Sequence, residues 1–239
     1  AGALRRCGAL LKLYTGVLSP YSAKVRMQIY ALGLEDFEFE LPASFYLGKL
    51  AEVSTMGRIP VLQLDDGIIP ESEVIAEYLD DLYPERSVLG ATPRQRADVR
   101  LISRIADVYL MNNIFMALPQ IPRKSRVDAI RDLFVAQIQR GMGALEAHLG
   151  ETVFAVGDQL TRADCTLVPA LWLCEHTVPR LDVENPLSAT TKVAAYWQRI
   201  QRSEHAARVI AEMNAGMKAR LDGTERKMIE AARSAAQQQ

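Results

Sequence analysis

The sequence predicts an α/β domain over residues 10–84, an all-α domain over residues 92–222 and a C-terminal tail over residues 223–239. Two observations support this fold class. Short runs with alternating, β-branched or aromatic residues, which are typical of strands, occur only in the first part of the chain. Further along, apolar residues recur at helical spacing. Residues 83–93 are rich in turn-forming and charged residues and are therefore predicted to link the two domains.

Composition and charge argue against several kinds of binding partner and cofactor. The 239 residues include 28 lysines and arginines against 29 aspartates and glutamates, a net charge of −1. This balance argues against nucleic acid or an anionic membrane as a partner, and no apolar run approaches the ~20 residues of a membrane span. The cysteines Cys7, Cys165 and Cys174 are odd in number and lack the spacing of a zinc site. We therefore expect no metal and no disulfide framework, in a reducing cytoplasm.

The α/β part opens with a predicted βαβ unit. Strands are expected over residues 11–15 and 37–41, where the sequence reads LKLYT and FEFEL. Between them a helix begins at Pro20 and ends at Gly33. Strand, helix and strand in this order predict parallel pairing with a right-handed crossover.

The rest of the α/β part is predicted to complete the order βαβαββα. The sequence SFYLGKLAEV indicates an irregular helix, and IPVLQL indicates a third strand. Asp66-Gly67 predicts a hairpin turn into a short fourth strand. A last helix is expected to begin at Glu71 or Ser72.

The all-α part is predicted to contain five helices. The third of them is the most apolar and is expected to be buried at the centre. It begins with a Thr-x-x-Asp capping pattern formed by Thr161 and Asp164. The predicted helices cover residues 92–112 or beyond, 127–149, 160–176, 189–202 and 204–221.

Ser19 lies between the first strand and Pro20, a proline at the first helical position. A side chain there faces the free N–H groups and the positive end of the helix dipole. Two roles fit this position. Serine is a good helix N-cap, and its hydroxyl is also suited to donate a hydrogen bond to a bound thiolate and lower that thiol's pKa. Serine as a nucleophile is disfavoured, because the chain has no G-x-S-x-G motif and its three histidines lie in the helical half.

Two further motifs leave the same choice between a structural and a binding role. In GRIPVLQL, Pro60 suits an ordinary trans proline that opens a strand, and also a cis Ile59-Pro60 bond. In GIIPESEVIAEYL, either Ser72 is the N-cap of a helix and Glu71 complements the helix dipole, or the two residues bind a ligand. In the binding role, the N–H groups and the Ser72 hydroxyl hold a carboxylate, and Glu71 holds an ammonium group.

Together these motifs resemble the thioredoxin-like domain of glutathione S-transferases, and the helical half is similar to the second domain of that family. The shared order is strand, Ser-Pro-Tyr-Ser, helix, strand, Ile-Pro-Val, hairpin and Glu-Ser helix, and the resemblance covers residues 11–221. The Thr161-x-x-Asp164 pattern is similar to the N-capping box in the family's core helix. Ser19 stands where glutaredoxins and omega-like members carry cysteine, so the chain resembles the serine-type zeta, theta and nu-like transferases.

The resemblance implies a role for each motif. The Ser19 hydroxyl would stabilise the glutathione thiolate, a cis Ile59-Pro60 bond would present its backbone to the cysteinyl part, and a nearby cation would bind the glycine carboxylate. The implied glutathione-binding residues are Lys49, Arg58, Ile59, Pro60, Glu71 and Ser72. The implied walls of the electrophile site are Tyr21 and, from the helical half, Tyr109, Met111, Asn112, Asn113, Phe115 and Met116.

The sequence departs from the family pattern in one place and offers two alternatives in another. Ser54-Thr55 stands where many members carry Asn-Pro, which leaves the contacts at the glycine end open. Ser22, one turn after Ser19, is an alternative partner for the thiolate. Tyr14 is a weaker alternative, because it lies within the first strand.

The function implied is that of a homodimeric, cytoplasmic glutathione transferase, in which the thiolate attacks a small hydrophobic electrophile, as in detoxification. The closest alternative is a glutathione-dependent cis–trans isomerase of the maleylacetoacetate type. An ether-cleaving or reductive transferase acting on aromatic compounds is another. A non-catalytic binding module is an alternative from a different class. A disulfide reductase is disfavoured, because Ser19 removes the thiol that a mixed disulfide requires.

Overall fold

The computed structural model describes residues 11–188 and 191–236. Contacts divide the chain into two compact units, with boundaries after Ser87 and after Ile210. The first unit combines the α/β part with the residues that follow Ile210, and the second contains the helices between the two boundaries. Residues 211–222, which the sequence pattern groups with the helical domain, thus pack with the α/β part. Cys7 lies outside the described residues.

The first unit is built on a sheet with the strand order β2-β1-β3-β4. The strands are β1 (Leu11–Tyr14), β2 (Phe37–Glu40), β3 (Val61–Leu64) and β4 (Gly67–Pro70). β1 pairs with β2 in parallel, as the βαβ pattern predicts, whereas the β1–β3 and β3–β4 pairs are antiparallel. This mixed sheet with its helices confirms the predicted thioredoxin-like order. The hairpin turn is Asp65-Asp66 rather than Asp66-Gly67, because Gly67 pairs with Leu64 and so belongs to β4.

The described helices follow the predicted order. The irregular helix predicted in SFYLGKLAEV is a single turn at Ala43–Tyr46, followed by a 3-10 turn at Leu50–Glu52. The helices are α1 (Pro20–Ala31), α2 (Ala43–Tyr46), α3 (Ser72–Leu82), α4 (Pro93–Ile105), α5 (Asn112–Ala117), α6 (Asp128–His148), α7 (Arg162–Thr177), α8 (Lys192–Ile200), α9 (Glu204–Leu221) and α10 (Thr224–Ala236).

α1 is buried on almost all sides, although it carries charged residues. Lys24 and Gln28, one turn apart, face α3. The Lys24 ammonium pairs with the Glu73 carboxylate, and Gln28 Nε2 donates to the carbonyl of Ala76 at 2.9 Å. Because both contacts advance along the two helices together, α1 and α3 run in the same direction. α1 ends where Gly33 adopts a positive φ of 62°, a conformation that glycine accepts readily.

α10 occupies the predicted tail and belongs to the first unit. It packs against α2, and Arg233 Nε donates to the carbonyl of Tyr46 at 3.1 Å. Burial, with the nearby Glu225 carboxylate, raises the pKa of Tyr46 above its ordinary value. The described part of the tail is therefore a helix that contacts α2.

In the second unit, α7 is buried along nearly its whole length and packs against α4. The predicted capping box is present, because Asp164 Oδ2 accepts from the Thr161 N–H at 2.8 Å. Trp172 is 1% exposed, as expected of a core residue. Cys165 and Cys174, the two cysteines among the described residues, form no disulfide and are buried in this helix, and burial raises the pKa of the Cys174 thiol to about 12.

The helix that begins at Pro93 continues to Gln120 through a π-helical turn at Ala106–Met111. Of the residues described, these 28 form the one helix whose length and apolar content would suit a membrane span. The sequence contains no uninterrupted apolar run of this length, because polar residues interrupt the apolar residues of this helix. The helix packs against α6 and α7, and 44% of its most apolar window is buried inside the protein.

Candidate functional site

One edge of the sheet collects the three predicted motifs. Tyr14 at the end of β1 pairs with Val61 at the start of β3, and Val61 pairs with Pro70 at the end of β4. The chain therefore leaves β1, enters β3 and leaves β4 at the same edge. The predicted site residues that adjoin these strand ends are Ser19, Ile59, Pro60, Glu71 and Ser72.

Ser19 is the N-cap of α1. Its backbone is extended, and its half-buried Oγ accepts a hydrogen bond from the N–H of Ser22 at 3.3 Å. Since Oγ acts as the acceptor in this bond, its O–H proton remains able to donate, and no acceptor for it occurs among the described residues. The capping role and the thiolate-stabilising role are therefore compatible in one hydroxyl group.

The two alternatives to Ser19 are engaged elsewhere. Ser22 is fully buried, and its Oγ accepts from the N–H of Gly16 at 3.4 Å. The Tyr14 hydroxyl donates to Gln63 Oε1 on the neighbouring strand at 2.6 Å. A cavity of about 310 Å³ is lined by Tyr14, but its lining contains none of the implied glutathione-binding residues and not Ser19.

The Ile59-Pro60 bond is cis, as the family resemblance implies. The Ile59 side chain lies against the loop that precedes Ser19. A Cβ added at Gly16 would lie 2.8 Å from Ile59 Cδ1, the end of that side chain, so the two loops approach each other closely here. The β1–α1 loop and the loop before β3 are thus in direct contact.

Glu71 precedes α3 with an unusual backbone conformation, φ 71° and ψ 118°. A non-glycine residue in this region costs about 1–3 kcal/mol and is found mainly at functional sites. Glu71 occupies the N-cap position without a capping bond from its side chain, and the buried Ser72 is the first helical residue. The interpretation of Ser72 as the N-cap is therefore wrong by one position.

The electrostatics of this edge favour an anion. α1 and α3 run in the same direction, so both helices direct the positive ends of their dipoles to the same side. Arg58 is exposed immediately before Ile59, and no ion pair involves it among residues 11–188 and 191–236. Lys49 is also exposed, with Nζ 3.8 Å from Glu52 Oε1. Both cations are accessible to a ligand.

The residues predicted to contact the electrophile differ in their exposure to solvent. Tyr109, Asn112 and Met116 are exposed and spaced to share one face of the helix. Asn113 Nδ2 donates to the carbonyl of Val108 at 2.8 Å, so this side chain forms a hydrogen bond to the backbone of the π-helical turn. Met111 is 0% exposed, and its assignment to the wall is wrong.

Phe115 is exposed, and Tyr21 on α1 is partly exposed. Both side chains are therefore at least partly accessible to solvent. The described residues contain no group of three or more histidine, cysteine or acidic side chains able to hold a metal ion.

Two charged residues that hold the loop before Ser19, Arg26 directly and Glu212 through Arg26, were not predicted from the sequence. Arg26 contacts Thr15, Gly16 and Val17, and it also contacts Glu212 on α9. The signal for Arg26 was present, because its nearest neighbours on the helix include the apolar residues Val25, Met27 and Ile29, and a charge among apolar residues requires a partner. No sequence signal identifies Glu212, which lies 186 residues further along the chain.

Family models match both parts of the chain. The model described as the glutathione S-transferase N-terminal domain matches residues 13–87, and the one described as the C-terminal domain of the same family matches residues 128–199. The two matches cover the strand–loop–helix that carries Ser19, the motif around Pro60, Glu71 and Ser72, and the core helix α7.

Similarity to curated relatives extends over most of the chain. A maleylacetoacetate isomerase of Pseudomonas aeruginosa is 28% identical over 205 residues, which is 80% of this chain and 88% of the relative. A stringent starvation protein A homolog of Coxiella burnetii is 25% identical over 82% of this chain and 89% of the relative. The solved structure of a glutathione S-transferase from Methylobacillus flagellatus with glutathione bound has a TM-score of 0.71 at 21% identity, and covers 83% of this chain and 98% of that one.

Proposed function

We propose that this chain, which belongs to the glutathione S-transferase family, binds glutathione at the sheet edge of its first unit and ionises the thiol with the hydroxyl of Ser19. The observation that carries this proposal is the position of Ser19. Its Oγ accepts the capping bond from Ser22, so its O–H can donate to a sulfur at the N-terminus of α1. A hydroxyl donor and a helix dipole both favour the thiolate over the thiol.

The chemistry that follows is nucleophilic attack. The thiolate of bound glutathione forms a sulfur–carbon bond with an electrophilic carbon of the cosubstrate. The displaced electron pair goes to a leaving group or into a conjugated carbonyl. The protein contributes thiolate stabilisation and the proximity of the two reactants, and no covalent enzyme intermediate is required.

The charges of glutathione match the remaining motifs. Its γ-glutamyl end carries an ammonium group for the exposed Glu71 carboxylate and a carboxylate for the hydroxyl and N–H of Ser72. Its glycine carboxylate requires a cation, and Arg58 and Lys49 are exposed cations of this unit. The backbone of Ile59 would pair with the cysteinyl part.

The electrophile, the assembly and the compartment are further parts of the proposal. Tyr21, Tyr109, Asn112, Phe115 and Met116 would contact a small hydrophobic electrophile. We also propose a homodimer in the cytoplasm, with a role in detoxification and no nucleic acid or membrane partner. These parts are supported by family resemblance, by the near-neutral charge and by the small number of cysteines.

The second candidate is a glutathione-dependent cis–trans isomerase. The relative named maleylacetoacetate isomerase, 28% identical, favours it. An isomerase adds the thiolate to a conjugated double bond, allows rotation and releases glutathione again. Net consumption of glutathione separates the two activities, because a transferase consumes one thiol per turnover and an isomerase consumes none.

The experiment combines binding with turnover. Glutathione is titrated into the protein by calorimetry, and turnover is then followed with a chloronitrobenzene electrophile and, separately, with a cis-enoic diacid. Heat of binding with loss of thiol supports the transferase. Heat of binding with isomerisation at constant thiol supports the isomerase. A chain that gives no heat at millimolar glutathione contradicts this proposal and favours the non-catalytic binding module instead.

A further inference from the structure

We propose that Arg26 is a positioning residue for Ser19, and that Glu212 on α9 holds Arg26 in its working orientation. The inference rests on the proposed function, because it concerns the hydroxyl assigned to the glutathione thiolate. It assigns a role in the site to a segment near the C-terminus of the chain.

Arg26 binds the loop between β1 and α1 at three points. Its Nη1 donates to Thr15 Oγ1 at 2.8 Å and to the carbonyl of Gly16 at 3.1 Å, and its Nη2 donates to the carbonyl of Val17 at 3.0 Å. Arg26 is 3% exposed, so these are bonds of a buried charge. The planar guanidinium therefore fixes three consecutive residues of this short loop.

The carbonyl of Gly16 connects this loop directly to Ser19. It accepts from the N–H of Ser19 at 3.1 Å as well as from Arg26. The N–H of Gly16 donates to the buried Ser22. Any change in the orientation of the Gly16 peptide is consequently transmitted to the N-cap residue.

Glu212 uses both carboxylate oxygens to hold α1. Oε2 accepts from Arg26 Nε at 2.9 Å, and Oε1 accepts from the Tyr30 hydroxyl at 2.8 Å. Arg26 and Tyr30 lie one helical turn apart, so a single carboxylate fixes two positions on the same side of α1. The Nε bond leaves Nη1 and Nη2 directed at the loop.

Gly216 provides independent support. It lies one turn after Glu212 on α9, and a Cβ added there would lie 3.2 Å from Leu18 Cβ and 3.3 Å from Val17 Cγ1. The backbone of α9 therefore packs directly on the loop that Arg26 binds. The loop before Ser19 is held between the guanidinium and this helix.

A positioning role and a direct charge effect predict opposite results. If the positive charge of Arg26 acted directly on the thiolate, removing the Glu212 charge would lower the pKa of the bound thiol. If Arg26 orients the loop, the same change releases the guanidinium and raises that pKa. The Glu212→Gln variant keeps the shape of the side chain and separates the two cases.

The test compares four variants of the full-length chain. Glu212→Gln and Tyr30→Phe loosen the hold on Arg26, Arg26→Lys keeps the charge but loses the guanidinium fork, and Glu225→Gln is the matched control. Glu225 forms an ion pair with Arg220 at 2.7 Å in the same C-terminal segment. The pKa of the bound glutathione thiol, kcat and KM for glutathione are measured, with thermal unfolding as the check on folding.

We expect Glu212→Gln to raise the pKa of the bound thiol and lower kcat about ten-fold, while KM for glutathione changes less. Tyr30→Phe should act in the same direction and more weakly, and Glu225→Gln should match the wild-type protein. If Arg26→Lys does not fold, Glu212→Gln still decides the matter. A folded Glu212→Gln protein with unchanged kcat and thiol pKa would overturn the proposal.

Hydrogen exchange at the Ser19 amide, without glutathione, distinguishes this failure from failure of the proposed function. Faster exchange in Glu212→Gln than in Glu225→Gln is expected if Glu212 holds the loop. Equal exchange in the two variants rejects the inference, whatever the protein binds. A wild-type protein that does not bind glutathione rejects the proposed function instead.

Discussion

The Oγ of Ser19 lies 3.3 Å from the backbone nitrogen of Ser22, while the Oγ of Ser22 lies 3.4 Å from the backbone nitrogen of Gly16. The two hydroxyls therefore have different environments, although they lie one turn apart. Ser19 is half-buried with an O–H able to donate, and Ser22 is fully buried as an acceptor for the loop.

This difference predicts that Ser22→Ala mainly lowers stability, whereas Ser19→Ala mainly lowers turnover. Ser22→Ala leaves the buried Gly16 N–H without its acceptor and should lower the free energy of unfolding by about 1–2 kcal/mol. Turnover should fall less than in Ser19→Ala, because Ser22 acts on Ser19 only through the Gly16 peptide and the reacting hydroxyl is still present. Urea denaturation and steady-state kinetics provide the measurement. A Ser22→Ala protein of normal stability that has lost turnover would transfer the thiolate role from Ser19 to Ser22.

Glu71 is predicted to lower the stability of the fold while it contributes to glutathione binding. Its positive φ of 71° costs about 1–3 kcal/mol, and glycine relieves part of this cost. The free energy of unfolding of Glu71→Gly should therefore be about 1 kcal/mol higher than that of Glu71→Gln. Both variants should bind glutathione more weakly than the wild-type chain. Denaturation and calorimetry measure the two effects. Equal stability of the two variants would show that the backbone at this position stores no strain.

Asp164 is predicted to be the most sensitive polar residue of the helical unit. Its carboxylate accepts from the N–H groups of Ala155 and Thr161 at 2.8 Å and from the Tyr196 hydroxyl at 2.9 Å, all of them buried. Asp164→Ala should lower the free energy of unfolding by about 4 kcal/mol, because these three buried donors and the Thr161 hydroxyl, 3.0 Å from Oδ2, lose their acceptor. Tyr196→Phe is the matched control and should cost about 1 kcal/mol. Similar losses in the two variants would contradict this account.

The acid stability of the helical unit should depend on Asp182. Hydrogen bonds from Arg126 and Arg123 lower the pKa of Asp182 from 3.8 to about 2. Since the folded pKa lies below the unfolded value, the stabilisation is fully present above pH 4 and is lost as the pH falls towards 2. Thermal unfolding of Asp182→Asn should therefore be less sensitive to pH in this window than that of the wild-type protein. The exposed Asp158→Asn variant is the control, and an equal response of Asp182→Asn and Asp158→Asn would refute the assignment.

Local patterns predicted the elements that depend on nearby residues. α9 matches its predicted bounds, the Thr161-x-x-Asp164 box is present, and Gly33 follows α1. These features depend on residues within a turn or two of one another, where capping and periodicity act. The parallel β1–β2 pair also follows from local order, through the βαβ rule.

Features that depend on distant or irregular structure were not predictable. The partnership of Arg26 with Glu212 joins residues 186 positions apart, and periodicity contains no information on such pairs. Met111 was placed on the exposed face, but the π-helical turn at Ala106–Met111 alters the helical phase and directs it inward. Of the candidate site, the motifs at the strand ends followed from pattern and resemblance. The strained backbone of Glu71 did not.

The most direct test of the central claim is the pKa of the glutathione thiol bound to the wild-type protein and to Ser19→Ala, followed by the ultraviolet absorbance of the thiolate as a function of pH. The free thiol has a pKa near ~8.5. We expect the wild-type protein to lower it by at least about one unit. Ser19→Ala should lose most of that shift with about a ten-fold fall in kcat, and Ser19→Thr, which keeps the hydroxyl, should recover it. A bound thiol with the same pKa in the wild-type and Ser19→Ala proteins would contradict the account.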